Sequence, residues 1–102
     1  MKVYDITSKL KNEKPVVRIG DKDFNVDNSK DAMIRVNEII KNNTDDFEIM
    51  GHVLSELLGS ENAETIENMK LSMSDYKTVF IAVLAGAGDE EFEEVEKRFQ
   101  NQ

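Results

Sequence analysis

His52 is the only histidine in the sequence, and Glu48 and Glu56 stand four residues before and after it. On a helix that spacing places the three side chains on one side, where their nitrogen and oxygen atoms could meet a metal ion. It is also a common spacing on exposed helical faces, and nothing nearby fixes the second imidazole nitrogen, so the pattern reads as surface. The run Asp21-Lys22-Asp23-Phe24-Asn25-Val26-Asp27 sets oxygen side chains at alternate positions, as a calcium loop does. Position six of such a loop needs glycine for its sharp turn and position twelve a bidentate glutamate; here they are Val26 and Ala32. Alternating polar residues suit a half-exposed strand equally well. Nucleophilic chemistry has less support, because cysteine and a Gly-x-Ser-x-Gly turn are both missing and His52 is the sole imidazole base. Ala85-Gly86-Ala87-Gly88 lacks the Lys-Ser/Thr of a phosphate loop and follows a helical pattern, which makes it a helix terminator. The residues predict no catalytic group, no metal and no cofactor, so an enzyme is not the expectation.

The elements that would position any site are arranged around Ser72–Ala87, the most apolar stretch of the chain. Tyr76, Val79, Phe80, Val83 and Leu84 recur at helical spacing and Ile81 widens the stripe, which predicts a central helix needing cover on several sides. Ser72 and Asp75 resemble a capping box, with Gly86 and Gly88 as the stop. Before it, residues 1–14 hold Val3, Tyr4, Ile6 and Leu10 among polar neighbours and predict a short strand or an extended arm. Val16–Ile19 and Asp23–Asp27, separated by Gly20-Asp21-Lys22, predict a β-hairpin. A lone hairpin is marginal in water and must lie on the helices or pair with another strand.

Asn28 or Ser29 caps a helix striped by Met33, Val36, Ile39 and Ile40 and ending at Asn42-Asn43. Thr44 caps the next, with Asp45 and Asp46 in its first turn and a stripe of Phe47, Met50, Leu54, Leu57 and Leu58 up to Gly59. A shorter helix runs from Ser60 to about Met69 with Ala63, Ile66 and Met69 inward. A last helix covers Asp89–Phe99, with acids at its start, bases at its end and a narrow stripe of Phe92, Val95 and Phe99. The expected fold class is α+β: an N-terminal β-hairpin followed by a helix-rich body of about five helices. All 102 residues form a single domain, with arm and hairpin in 1–28, the helical core in 29–88 and the acidic C-terminal helix in 89–102.

With no cysteine the fold is held by packing alone, which suits a reducing, cytoplasmic setting. The start has no apolar signal core and no apolar run approaches a membrane span, so a membrane is not an expected partner. The net charge of −8 is unevenly spread: residues 1–44 carry nine Lys/Arg against seven Asp/Glu, and residues 45–102 four against fourteen. An acidic back half disfavours nucleic acid, since phosphate contacts need cations. That acidity serves solubility as a solvated face, or steers the chain toward a basic protein.

VVRIGDKDFNVDNSKDAMIRVNEII, the helix ending in LSELLGSENAETI, LSMSDYKTVFIAVLAGA and the acidic tail DEEFEEVEKRF together resemble the small tail assembly chaperones of long-tailed bacteriophages and prophages of Gram-positive hosts. The likeness spans nearly the whole chain and rests on the turn Gly20, the Val26-Asp27 exit, the Leu57-Leu58-Gly59 stop and the Ser72-x-x-Asp75 entry. It implies a non-enzymatic role in the bacterial cytoplasm. There the chain would coat the tape-measure protein and help recruit tail-tube subunits, with a homo-oligomer also possible. It supplies no functional residue, so the candidate partner-binding residues come from the surface of the last helix: Phe92, Val95 and Phe99, flanked by Glu91 and Glu94. These could lie in another chain's groove, although the ordinary role of such a stripe is to close the domain's own core. The alternative function is an acidic adaptor or small inhibitor on a basic partner. Salt separates the two, because a charge-held contact weakens with ionic strength and an apolar one persists.

Overall fold

A computed structural model describes residues 1–11, 13–42 and 46–100, the side chains of Asp46 and Gln100 excepted. Val16–Ile19 (β1) and Lys22–Asn25 (β2) form a two-stranded antiparallel hairpin, followed by helices Lys30–Asn42 (α1), Asp46–Leu58 (α2), Ser60–Asn68 (α3), Met73–Ala87 (α4) and Phe92–Gln100 (α5). The α+β layout with five helices after an N-terminal hairpin is therefore the observed one. The predicted cap at Thr44, the acid at Asp45 and the helix end at Asn43 lie outside the described residues.

The hairpin pairs Val17 with Phe24 and Ile19 with Lys22 across the Gly20-Asp21 turn. Its alternation buries one face: Phe24 and Val26 are buried, Val17 and Ile19 half-buried, and Val16 and Arg18 exposed. That face joins the main helical core, which relieves the marginal stability of two strands alone. The exit is fixed by backbone: the Asp27 amide donates to the Leu57 carbonyl at the end of α2 (2.8 Å). Of the two predicted caps for α1, Ser29 serves, its Oγ accepting from the Ala32 amide at 3.1 Å, while Asn28 donates to the Glu13 carbonyl.

The stripes of α1 and α2 differ from expectation at several residues, fully buried Ala32 among them. Ile40 is 45% exposed and Phe47 60% exposed, whereas Val53, absent from the predicted stripe, is completely buried. Around α1, Ala32, Val36 and Ile39 define the inward direction, and Ile40 lies about 100° past Ile39, on the flank of the stripe. Gly59 has φ of 89°, a backbone geometry that side chains rarely adopt, and it separates α2 from α3 at the predicted stop.

Ser72 Oγ accepts from the Asp75 amide at 3.1 Å and starts α4. Its end is built differently from expectation. Gly88 has an ordinary negative φ, and the left-handed position belongs to Asp89, with φ of 53°. The Glu90 amide donates to the Ala85 carbonyl (2.9 Å) and the Asp89 amide to that of Gly86 (3.3 Å), the paired bonds that satisfy the last free carbonyls. Because Asp89–Glu91 make this closure and the turn beyond it, α5 begins at Phe92, three residues later than predicted. Gly86 serves a different purpose. A Cβ there would lie 3.4 Å from Pro15 Cβ, at van der Waals contact, which places the crossing of α4 by the chain entering β1 at Gly86.

Replacing Leu54, almost fully buried in the main core, by alanine is expected to cost about 2–5 kcal/mol in chemical denaturation. Lys70, exposed with φ of 53° just after α3, carries backbone strain instead. Lys70→Gly is expected to stabilise by roughly 0.5–1 kcal/mol, the left-handed penalty less the extra unfolded-state entropy of glycine.

Candidate functional site

The acidic helix α5 is anchored by its apolar stripe and presents its charge outward. Val95, 2% exposed, packs with Ile81 and Ala85 of α4, with half-buried Phe92 beside them. Half-buried Phe99 meets Phe80 edge-to-face, ring centres 5.5 Å apart, in the favourable arrangement for aromatic quadrupoles. The five predicted partner-binding residues thus divide into two groups. Phe92, Val95 and Phe99 face α4, while Glu91 and Glu94 stand in solvent. Glu94 lies 4.0 Å from Lys97 one turn on. Arg98 reaches back to grip Glu90 through both guanidinium branches, holding the Glu90 carboxyl below its ordinary pKa.

The N-terminal arm, expected as a strand or an extension, forms no strand and has no regular structure over its described residues apart from one 3₁₀ turn at Thr7–Lys9. Asp5 starts that turn by accepting from the Thr7 hydroxyl (2.6 Å) and amide (3.0 Å), bonds that hold its carboxyl low. None of residues 1–10 is buried, and Met1, Val3, Tyr4, Ile6 and Leu10 are all more than half exposed. The arm joins the body where Lys11 meets Asp89 at 3.2 Å, beside a cavity of about 550 Å³ lined by Lys14, Pro15, Asn28 and the end of α4. Sequence patterning assigns this arm no function, because scattered apolar residues mark a buried strand and an exposed arm alike.

The two oxygen-rich patterns are used structurally. Asp23 pairs with Arg18 across the hairpin (2.6 and 3.2 Å), and Asp27 accepts from the Ser29 amide at the start of α1 (3.0 Å). Those bonds depress both carboxyls. His52 is exposed, and Glu56 turns to Arg35 of α1. Among the described residues no three His, Cys, Asp or Glu side chains converge as metal ligands. Tyr76 is occupied too, its hydroxyl donating to Glu67 at 2.8 Å to tie α3 to α4; burial first, and then this bond, raise its pKa.

Compared with known protein families, curated proteins and solved structures, the chain shows no significant match to any.

Val95→Ala is expected to cost about 1–3 kcal/mol by thermal or chemical unfolding, whereas Glu91→Gln and Glu94→Gln stay within roughly 0.5 kcal/mol. Equal stability of all three variants would mean that the stripe is not core. The Glu90–Arg98 pair also carries a pH signature. Glu90 titrates lower folded than unfolded, so the pair stabilises above the ordinary glutamate range and its contribution disappears as pH falls through the folded value. The stability lost in Arg98→Met should therefore be measurable at about pH 6 and shrink steadily as pH falls below the ordinary glutamate range.

Proposed function

We propose that this chain is a non-enzymatic assembly chaperone that binds a protein client, of the phage tail type, with the tape-measure protein as client and tail-tube subunits recruited alongside. The observation that carries the reading is the arm. It holds five large apolar side chains in solvent on a body whose own core is closed, with Lys2 and Lys9 set among them and Lys11 just beyond. Exposed apolar side chains set among charges can cover an amphipathic client and still remain soluble. The exposed carboxylates of α5 add a polar rim, and no helix among the described residues is long and apolar enough to cross a membrane. The acidic adaptor is the second reading, favoured by the outward placement of Glu91, Glu93 and Glu94.

Co-expression with a tape-measure protein tests the proposal. The client is expected to stay soluble, to co-purify, and to remain bound as salt rises toward about 1 M, where charge interactions are screened within roughly 3 Å. A client equally insoluble with and without this chain contradicts it, and a complex lost by moderate salt favours the adaptor.

A further inference from the structure

The chain carries both an unoccupied strand edge and an unoccupied strand-forming segment. In the hairpin, the Val26 amide donates to the Pro15 carbonyl at 3.0 Å, and the alternation of antiparallel pairs makes Val17–Phe24 and Ile19–Lys22 the bonded pairs. The backbone groups of Val16 and Arg18 therefore point to the outer edge of β1, where no described strand pairs with them. Along that edge runs a groove of about 380 Å³, walled by Val17, Ile19 and Leu71 and floored by Thr78, Val79 and Ala82 of α4. No residue of β2 lines it, which places it beside β1 rather than over the hairpin face. Asp75 stands at its end without an ion pair among the described residues, while Arg18 is already held by Asp23.

Lys2-Val3-Tyr4-Asp5-Ile6 fits this edge in length, composition and charge. Its five residues are enough to run along the four of β1, it is rich in β-branched and aromatic residues, and it ends where Asp5 and Thr7 turn the chain. As a strand it would place Lys2, Tyr4 and Ile6 on one face, two apolar side chains for the groove and a cation for Asp75. In this structure the arm is not folded onto its own groove. It leaves the body at Lys11 and Asp89, beyond the C-terminal end of α4, whereas the groove lies along Asp75–Ala82, with its midpoint about 15 Å back along that helix. Residues 1–10 remain exposed throughout.

We propose that the N-terminal arm of one copy adds as a third strand to the free edge of β1 in a second copy, with Tyr4 and Ile6 seated against α4, and that the exchange is reciprocal. Main-chain bonds supply the affinity of such strand addition and the alternate side chains its specificity. A two-fold exchange closes after two copies and pairs the outer edge of β1 in each. The inference shares with the proposed function only the availability of the arm, and it concerns the chain without a client.

Light scattering after size exclusion is the test, using the full chain without any client. The mass is expected to rise with concentration from 11.6 kDa to twice that value. Tyr4→Ser with Ile6→Ser, and separately Thr78→Lys in the exposed groove floor, are expected to abolish the rise with no change in circular dichroism, since none of these side chains is buried. The absence of native cysteine allows a direct check of geometry. Tyr4→Cys and Thr78→Cys made in separate chains and mixed under oxidation should give a two-chain disulfide. A parent monomeric throughout, a dimer indifferent to these substitutions, or a disulfide forming only when both cysteines are in one chain would overturn the proposal. A parent chain that stays monomeric yet co-purifies with the client would overturn this inference and leave the chaperone reading standing.

Discussion

Everything in this structure depends on covering α4 on more than one side. Val79, Phe80, Val83 and Ala87 enter the main core with α1, α2, α3 and the hairpin, while Ile81 and Ala85 enter a second cluster with Val95 of α5. Leu84 and Phe99 touch both clusters. Each large apolar side chain so covered contributes on the order of 1.5–3 kcal/mol relative to exposure, so neither side of the helix could be left in water in a domain this small. The last helix is held for that reason. Its stripe is three residues wide because covering α4 is all it must do, and its remaining positions are free to carry acid.

The hairpin, the order of the helices and the central position of Ser72–Ala87 were legible because local signals and long-range packing agree there. Ser72 and Ser29 cap where a short hydroxyl residue precedes an apolar period, and Gly59 stops a helix where no other residue type takes φ of 89° easily. The differences arise at places where spacing is ambiguous by one residue. Ile40 and Phe47 sit on the margins of their stripes, while Val53, next to Leu54, goes inside. Asp89 taking the left-handed position beside an available glycine was not legible either. That choice follows from where the Ala85 and Gly86 carbonyls need donors, which is a property of the folded turn.

The candidate surface was legible only in part. Sequence periodicity groups Phe92, Val95 and Phe99 on one face, but periodicity is blind to whether the facing surface belongs to the same chain, and α4 turns out to present it. Attention passes instead to the arm, whose Val3, Tyr4, Ile6 and Leu10 remain in solvent. The exposed apolar arm with its interleaved lysines and the carboxylates of α5 are the surfaces on which the proposed client binding rests. Lys2, Lys9 and Lys11 keep charge beside the exposed apolar side chains of the arm, and fourteen of the 21 acids follow residue 44.

Amide hydrogen exchange at high dilution tests the central claim, a closed body with a free arm, most directly. Amides of Val79–Leu84 in α4 and of Val95–Phe99 in α5 are expected to exchange last and together, through global unfolding, while those of Lys2–Leu10 exchange at nearly the rate of an unfolded peptide. Protection of the arm in the isolated chain, or opening of α5 long before α4, would contradict it.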